Sequence, residues 1–304
     1  PQALEYLRSR GITNSETVER FRIGFVDRTL GLRLPYKQVK AGNEIRERLK
    51  EIGLVRETGH EHLRGCVVFP LVNERGQTVQ LYGRRVDNGG KSAARHFYLP
   101  GAHRGIFNRE AFAVCDELIL CESIIDALTF WNAGYRNVTT TFGTNGLTDE
   151  ILEAFKTHDI KRLLLAFDND DAGNAAVEKH TKPLTALGIE LFRVTFPKGM
   201  DANAYALTAG SSENNVHNWM GLAIRNATWL SNGEKRTAPE ITTTTPELLE
   251  RRGKEPTNAE PAIQPKQKAA KEEKGSTQKQ PPVASPAPAP NGSESAVAIS
   301  DVNP

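Results

Sequence analysis

Along residues 116–200, short apolar runs alternate with segments whose apolar residues recur at helical spacing. LILC (118–121) is one such run, and SIIDALTFWNAG after it repeats apolar residues every three or four positions before stopping at Gly134. NVTTTF (137–142) is β-branched and predicts a strand. LTDEILEAFKTHD then reads as a helix, with Thr148 as its cap and acidic residues in its first turn. KRLLLAF (161–167) is the most apolar predicted strand, DAGNAAVEKHTKPLTALG the next helix, and IELFRVTF (189–196) the last strand. Strands separated by helices imply right-handed crossovers, a parallel sheet and helices on both faces, so this half is an α/β domain.

Residues 1–115 follow another rhythm. Two short helices come first, the second opened by Thr13 with Glu16 three residues on, a capping-box pattern. NEIRERLKEIG (43–53) predicts a further helix. GCVVFPLVNERGQTVQLYGRRV then alternates as a β-hairpin turned at Asn73–Gly76, whose second arm delivers Arg84 and Arg85. This half is α+β. After NNVHNWMGLAIRNATWL, which ends at Leu230, apolar side chains become too sparse to offset the entropy of ordering a backbone. The expected organisation is therefore a basic α+β subdomain at 1–115, an α/β domain at 116–209, a terminal helical segment at 210–230 and a disordered Pro/Ala/Lys-rich tail at 231–304. Within the tail, at most a short helix is expected around Pro246–Gly253.

Charge and cysteine usage sharpen this picture. The net charge of +2 conceals 20 Lys/Arg against 12 Asp/Glu in residues 1–115, and 9 against 15 in residues 116–230. A basic half beside an acidic half suits a polyanion track next to a cation site. No apolar run approaches the ~18 residues of a membrane span, so no membrane partner is expected. The opening PQALEYLRSRG has neither an initiator Met nor a basic-then-apolar leader, which gives the expectation of a cytoplasmic protein with residues missing upstream. Cys66, Cys115 and Cys121 lack metal-ligand spacing and read as reduced core residues in strand-like stretches.

The acidic residues of the second half fall at predicted strand ends, where open α/β sheets place their chemistry. Glu122 follows LILC directly, and Asp126 lies one helical turn later on the same face. Asp168 follows RLLLAF, Asp170 is two residues on, and Asp201 follows the last strand after a PKGM loop. Taken alone, FDNDDAG is a polar turn capping the next helix, and Glu122 a complement to a helix dipole. Capping needs no convergence from three strand ends, whereas hard divalent cations such as Mg²⁺ or Mn²⁺ require clustered oxygen ligands.

In succession, CESIIDAL, TTFGTNGLT, LLLAFDNDDAGNAA and FPKGMDANAYAL resemble the motifs of the Toprim domain. From about Leu4 to Ala209 the chain is similar to the catalytic core of DnaG-type bacterial primases: YLRSRGI with SETVERFRIGF resembles its opening helices, RGCVVFPLVNERGQTVQLYGRRV its basic hairpin, and FYLPGAHRGIFN the segment leading into Toprim. The resemblance implies a Toprim parallel-sheet domain behind a basic α+β primase subdomain. It implies Glu122, Asp168 and Asp170 as catalytic metal ligands for Mg²⁺ or Mn²⁺, joined by Asp201 and supported by Asp126. It implies that Arg85 and Arg104, with Arg95 and Arg84 behind them, serve template or nucleotide phosphates.

Three departures stand out. Ser123 replaces a usual Gly and is expected to crowd its turn slightly. Asn169 between the aspartates reads as unremarkable. Asn203 replaces the second aspartate of the last motif and is expected to weaken a second or third metal position. No three Cys plus one His rebuild the family's zinc module, so no zinc is expected here, and the tail puts partnership with a replicative helicase in doubt. The function implied is template-directed synthesis of short RNA primers on single-stranded DNA from ribonucleoside triphosphates. Two alternatives stay open: a Toprim-type metal-dependent nuclease, and a nucleic-acid-binding accessory protein with a decayed site.

Overall fold

The structure is a computed structural model and describes residues 2–86, 94–144, 146–210 and 212–231. The expected disordered tail, from residue 232 on, and its short helix at Pro246–Gly253 lie outside the described residues.

The chain opens with α1 (Gln2–Ser9) and α2 (Ser15–Arg20), followed by β1 (Gly24–Phe25), α3 (Leu30–Arg33) and α4 (Lys40–Glu51). The cap of α2 is Asn14 rather than Thr13: its extended backbone lets its side-chain oxygen accept from Glu16 N at 2.9 Å. The hairpin β2 (Cys66–Val72) and β3 (Thr78–Arg85) follows, and β4 (His96–Tyr98) completes an antiparallel sheet in the order β1-β2-β3-β4. Asn73 builds the hairpin turn, its side-chain oxygen accepting from both Arg75 N and Gln77 N at 3.0 Å.

α5 (Glu110–Val114) leads into β5 (Glu117–Cys121), α6 (Ile124–Asn132), β6 (Val138–Thr140), α7 (Asp149–Thr157), β7 (Arg162–Ala166), α8 (Asp171–Thr185) and β8 (Glu190–Arg193). α9 (Ala202–Thr208), α10 (Glu213–Arg225) and β9 (Thr228–Trp229) close the described chain. The second sheet has the order β6-β5-β7-β8-β9, parallel except for β9. The segment expected to be helical to its end thus finishes as an antiparallel edge strand, Phe192 pairing with Trp229. Cys115 departs from expectation too, since it ends α5 half-buried instead of sitting in a strand.

Side chains alternate across this sheet into two cores. Ile119, Cys121, Leu164, Ala166, Phe192 and Val194 join one, with α6, α9 and α10. Leu118, Leu120, Leu163, Leu165 and Leu191 join the other, with α7 and α8. Both faces are covered, which is why the strands read as continuous apolar runs. The first core also takes in Leu7, Phe21, Val67, Phe69 and Tyr82 from the first sheet and its helices.

α6 forms the seam, with every residue from Ile124 to Trp131 buried. Phe21 stacks on Phe107 at 4.7 Å and meets Trp131 edge-on at 5.2 Å, while the Thr17 hydroxyl donates to Asn132 Oδ1 at 2.7 Å. Because this core is shared, Phe21→Ala should cost about 3 kcal/mol. Urea denaturation should show a single transition moved to lower denaturant; two resolved transitions would mean that the two sheets hold their structure independently.

A carboxylate cleft facing arginines

The parallel strands deliver their acids at their carboxyl ends. Glu122 leaves β5, Asp168 comes two residues after β7, and Asp201 caps α9 beyond β8. Glu122, Asp126, Asp168 and Asp201 line one cleft of about 240 Å³, whose other lining residues include Arg10, Tyr6, Tyr82, Arg84 and His96. Thus four of the five predicted acids meet, and α1, the turn after it and the first sheet supply the facing wall.

Asp170 is not part of that lining. Its side chain accepts from Gly173 N at 2.8 Å and caps α8, as Asp201 accepts from Ala204 N at 2.5 Å and caps α9. Capping and clustering are therefore compatible here: each cap anchors a carboxylate at the mouth of a helix. Gly173 permits the first of these, because a Cβ there would lie 2.2 Å from the Asp168 carbonyl oxygen.

The cluster is electrostatically costly. Burial, then Asp168 and Asp170, push Glu122 up to about 7, with Arg193 pulling the other way. Burial and Asp201 push Asp168 up to about 6, and burial with Asp201 raises Asp126. Glu122 Oε2 is buried without a hydrogen-bond partner. Among the described residues no three His, Cys, Asp or Glu side chains form a ready-made metal cage. Magnesium asks for less than a cage, since it keeps several waters and binds through one or two carboxylates plus phosphate oxygens. An orphaned carboxylate oxygen among acids with raised pKa values fits such a cation.

Asp126 is fixed from two sides. The Ser123 hydroxyl donates to Asp126 Oδ2 at 2.5 Å, and Asn203 N donates to Asp126 Oδ1 at 3.1 Å. Ser123 does not crowd its turn: it has extended backbone, φ −126°, and caps α6. Asn203, in the first turn of α9, is buried. Its amide is 1% exposed and donates to the Arg10 carbonyl at 2.8 Å and to Thr129 Oγ1 at 2.9 Å, clamping α9 to α1 and α6. Asn169 also has a task, donating to Phe196 O at 2.6 Å and, through its backbone N, to Met200 O, so that it shapes the loop ahead of Asp201.

Arg193, which sequence reasoning missed, is 7% exposed beneath the cluster and donates to the Asp168 carbonyl at 2.9 Å and to Asn174 Oδ1 at 3.2 Å. A cation inside the apolar run IELFRVTF was its available signal.

The four predicted arginines part company. Arg84 lines the cleft, against Tyr82 and His96. Loss of solvent, Arg84 and Arg95 hold His96 down at about 4, so it is neutral at pH 7. Since Arg84 can only donate, the His96 nitrogen facing it accepts, and Nδ1 carries the proton toward the Tyr82 oxygen 2.8 Å away. Arg85, one residue on, has the opposite strand parity and lies over the Phe97 ring at 4.7 Å. Arg95 and Arg104 are exposed and outside the cleft lining. His103 beside Arg104 stacks on Phe142 at 4.7 Å.

A two-sheet α/β protein with acids at Toprim strand ends is thereby defined. The family described as DNA primase catalytic core, N-terminal domain, matches residues 1–112, and the family described as Toprim-like matches residues 119–206. A DNA primase of Staphylococcus aureus is 30% identical over 220 residues, 67% of this chain and 35% of that protein. The Escherichia coli primase catalytic core superposes with a TM-score of 0.60 at 21% identity, covering 76% of this chain and 74% of that one. A DnaG primase catalytic domain bound to single-stranded DNA gives 0.60 at 20% identity, covering 75% and 72%. The chain belongs to the DnaG-type primase catalytic-core family, and it spans about a third of the length of the full-length relatives it matches.

Two outcomes follow from this geometry. Carboxyls whose folded pKa exceeds the unfolded value stabilise the fold at low pH and lose that contribution as pH rises through the folded pKa. In EDTA, stability should therefore fall as pH rises from about 4 toward 7, and Glu122→Gln should flatten the decline. Equal slopes in both proteins, read from urea midpoints across pH, would refute this. Asn203→Asp, the family's usual residue, should destabilise by about 1–3 kcal/mol, because a carboxylate cannot donate to Thr129 or the Arg10 carbonyl. A thermal midpoint equal to wild type would show that the clamp is dispensable.

Proposed function

We propose that this chain is the catalytic core of a primase-type RNA polymerase, extending short RNA primers on single-stranded DNA from ribonucleoside triphosphates. The observation that carries this reading is the cleft itself: Glu122, Asp126, Asp168 and Asp201 on one wall, Arg84 and Arg10 on the other. One wall suits a divalent cation and the facing wall suits phosphate oxygens, and nucleotidyl transfer needs both.

Glu122, Asp168 and Asp201 would hold Mg²⁺ or Mn²⁺, with Asp170 at the rim and Asp126 as a buried support. When bound, the ion lowers the pKa of the primer's 3′ hydroxyl and neutralises charge building on the phosphate. Arg193 beneath the cluster limits the repulsion among the acids when the cleft is empty. Arg84, held by Tyr82 and neutral His96, directs its guanidinium at nucleotide phosphate, and the exposed Arg95 and Arg104, with Arg85, contact template backbone. The single-stranded DNA bound by the DnaG relative supports that choice of template.

The test is extension of a pre-annealed primer, and synthesis on bare single-stranded DNA, with labelled ribonucleotides and Mg²⁺ or Mn²⁺. Glu122→Gln and Asp168→Asn should each lose at least a hundredfold in rate, about 2.7 kcal/mol of barrier. Arg84→Ala should lower the rate more than Arg85→Ala, while Arg104→Ala weakens DNA binding and reduces its salt dependence by about one counterion. Template degradation would move the reading to a Toprim nuclease. Binding to DNA without either product would assign a non-catalytic accessory role.

A further inference from the structure

A second and larger pocket, about 440 Å³, lies between α1, the turn into α2, the end of α6, α9 and α10, and shares Arg10 with the carboxylate cleft. Arg8, Arg10 and Arg136 line it, together with Asn132, Leu207 and a single carboxylate, Glu213. Three guanidiniums against one lining acid make this a cationic pocket where the basic first half meets the acidic second half.

Arg136 is its best-organised group. The guanidinium carbon lies 3.2 Å from the Trp131 ring centroid, and Nη2 pairs with Glu16 at 3.4 Å. Its Nη1 is buried and has no hydrogen-bond partner. The stack on Trp131 and the pair with Glu16 hold this guanidinium in place at the pocket wall, and losing few rotamers on meeting an anionic oxygen favours affinity. Arg8 is exposed on α1, and Arg10 lies over Tyr6 at 5.5 Å. Ala206, Leu207 and Val216 give the pocket an apolar side apart from the arginines. Its volume falls within the ~300–1,000 Å³ of small-molecule sites.

We propose that this pocket binds a free nucleotide, its phosphates held by Arg8, Arg10 and Arg136 and its base and sugar against the apolar side. Neither the carboxylates nor a divalent cation takes part, so the site is separate from the polymerase reading except for Arg10, which lines both. Arg10 lies on both walls, and its main-chain carbonyl accepts from the Asn203 amide whose backbone N–H holds Asp126. Occupancy is thereby one hydrogen-bonded residue away from the carboxylate cleft.

The experiment is calorimetric titration of the full chain with ATP in EDTA, where no metal-dependent chemistry runs. One saturable site is expected, weakened tenfold or more by Arg8→Glu and by Arg136→Gln and unchanged by Arg75→Ala on the hairpin turn. Arg8 is exposed, so Arg8→Glu reports on the pocket even if Arg136→Gln loses its stack on Trp131 and unfolds. ATP binding indifferent to Arg8→Glu would place the nucleotide elsewhere, and no ATP binding at all would end the proposal. If dT20 binds in an Arg8-dependent way while ATP does not, the pocket belongs to a strand's backbone phosphates and the proposal for a free nucleotide falls. Primer synthesis is not read in any of these arms, so failure of the polymerase reading leaves them intact.

Discussion

Everything in this molecule depends on burying α6. A helix covered on all sides cannot be positioned by one neighbour, and here α2, the second sheet and α9 all pack against it. Because its N-terminal end is capped by Ser123 directly after Glu122, the packing that orders the core also sets the carboxylates. Phe21 and Thr17 reach this helix from the first half, and Glu16 pairs with Arg136 just beyond it, so the wall bearing Arg84 is held against the wall bearing Glu122 by contacts away from the cleft's own charges. That distinction matters chemically. Opposite charges brought together by their own attraction would neutralise each other, whereas a hydrophobic seam can hold them apart, each still able to meet a ligand.

The acids remain a burden to the fold. Their raised pKa values show that burial and mutual repulsion both oppose ionisation. The fold offsets this with local devices: helix caps at Asp170 and Asp201, two hydrogen bonds on Asp126, and the Arg193 guanidinium beneath Asp168. Each device uses a group that is needed for another reason. Backbone N–H groups at a helix start are unsatisfied in any case, so an aspartate there costs the helix nothing and is fixed in place by it.

How much of this was legible in the sequence follows from the same physics. Strands buried on both faces leave unbroken apolar runs, and open sheets put their chemistry beyond the strand ends, so β5, β7, β8 and the acids after them could be read directly. Asn203 could not, because a side chain's amide partners, Thr129 and the Arg10 carbonyl, are far away in sequence. The two-residue β9 carries too little pattern to announce itself, and it exists because Phe192 has an open edge to pair with. Asn14 took the cap from Thr13 by a choice of one residue, below what patterning resolves.

The choice between Arg84 and Arg85 was decidable in principle and turns on parity. In a strand, residues two apart share a face, so Gln80, Tyr82 and Arg84 point one way and Leu81, Gly83 and Arg85 the other. Tyr82 is a buried aromatic whose hydroxyl needs a partner, and a second polar ring, His96, sits across the ladder from Arg84 to supply one. A guanidinium placed between a buried phenol and a neutral imidazole has neutral neighbours and gains no compensating anion from either. Its charge is therefore left to act across the cleft, toward whatever anion the carboxylates and their cation bring in. That parity is why Arg84, and not Arg85, is the arginine of this strand that lines the cleft, beside Arg10.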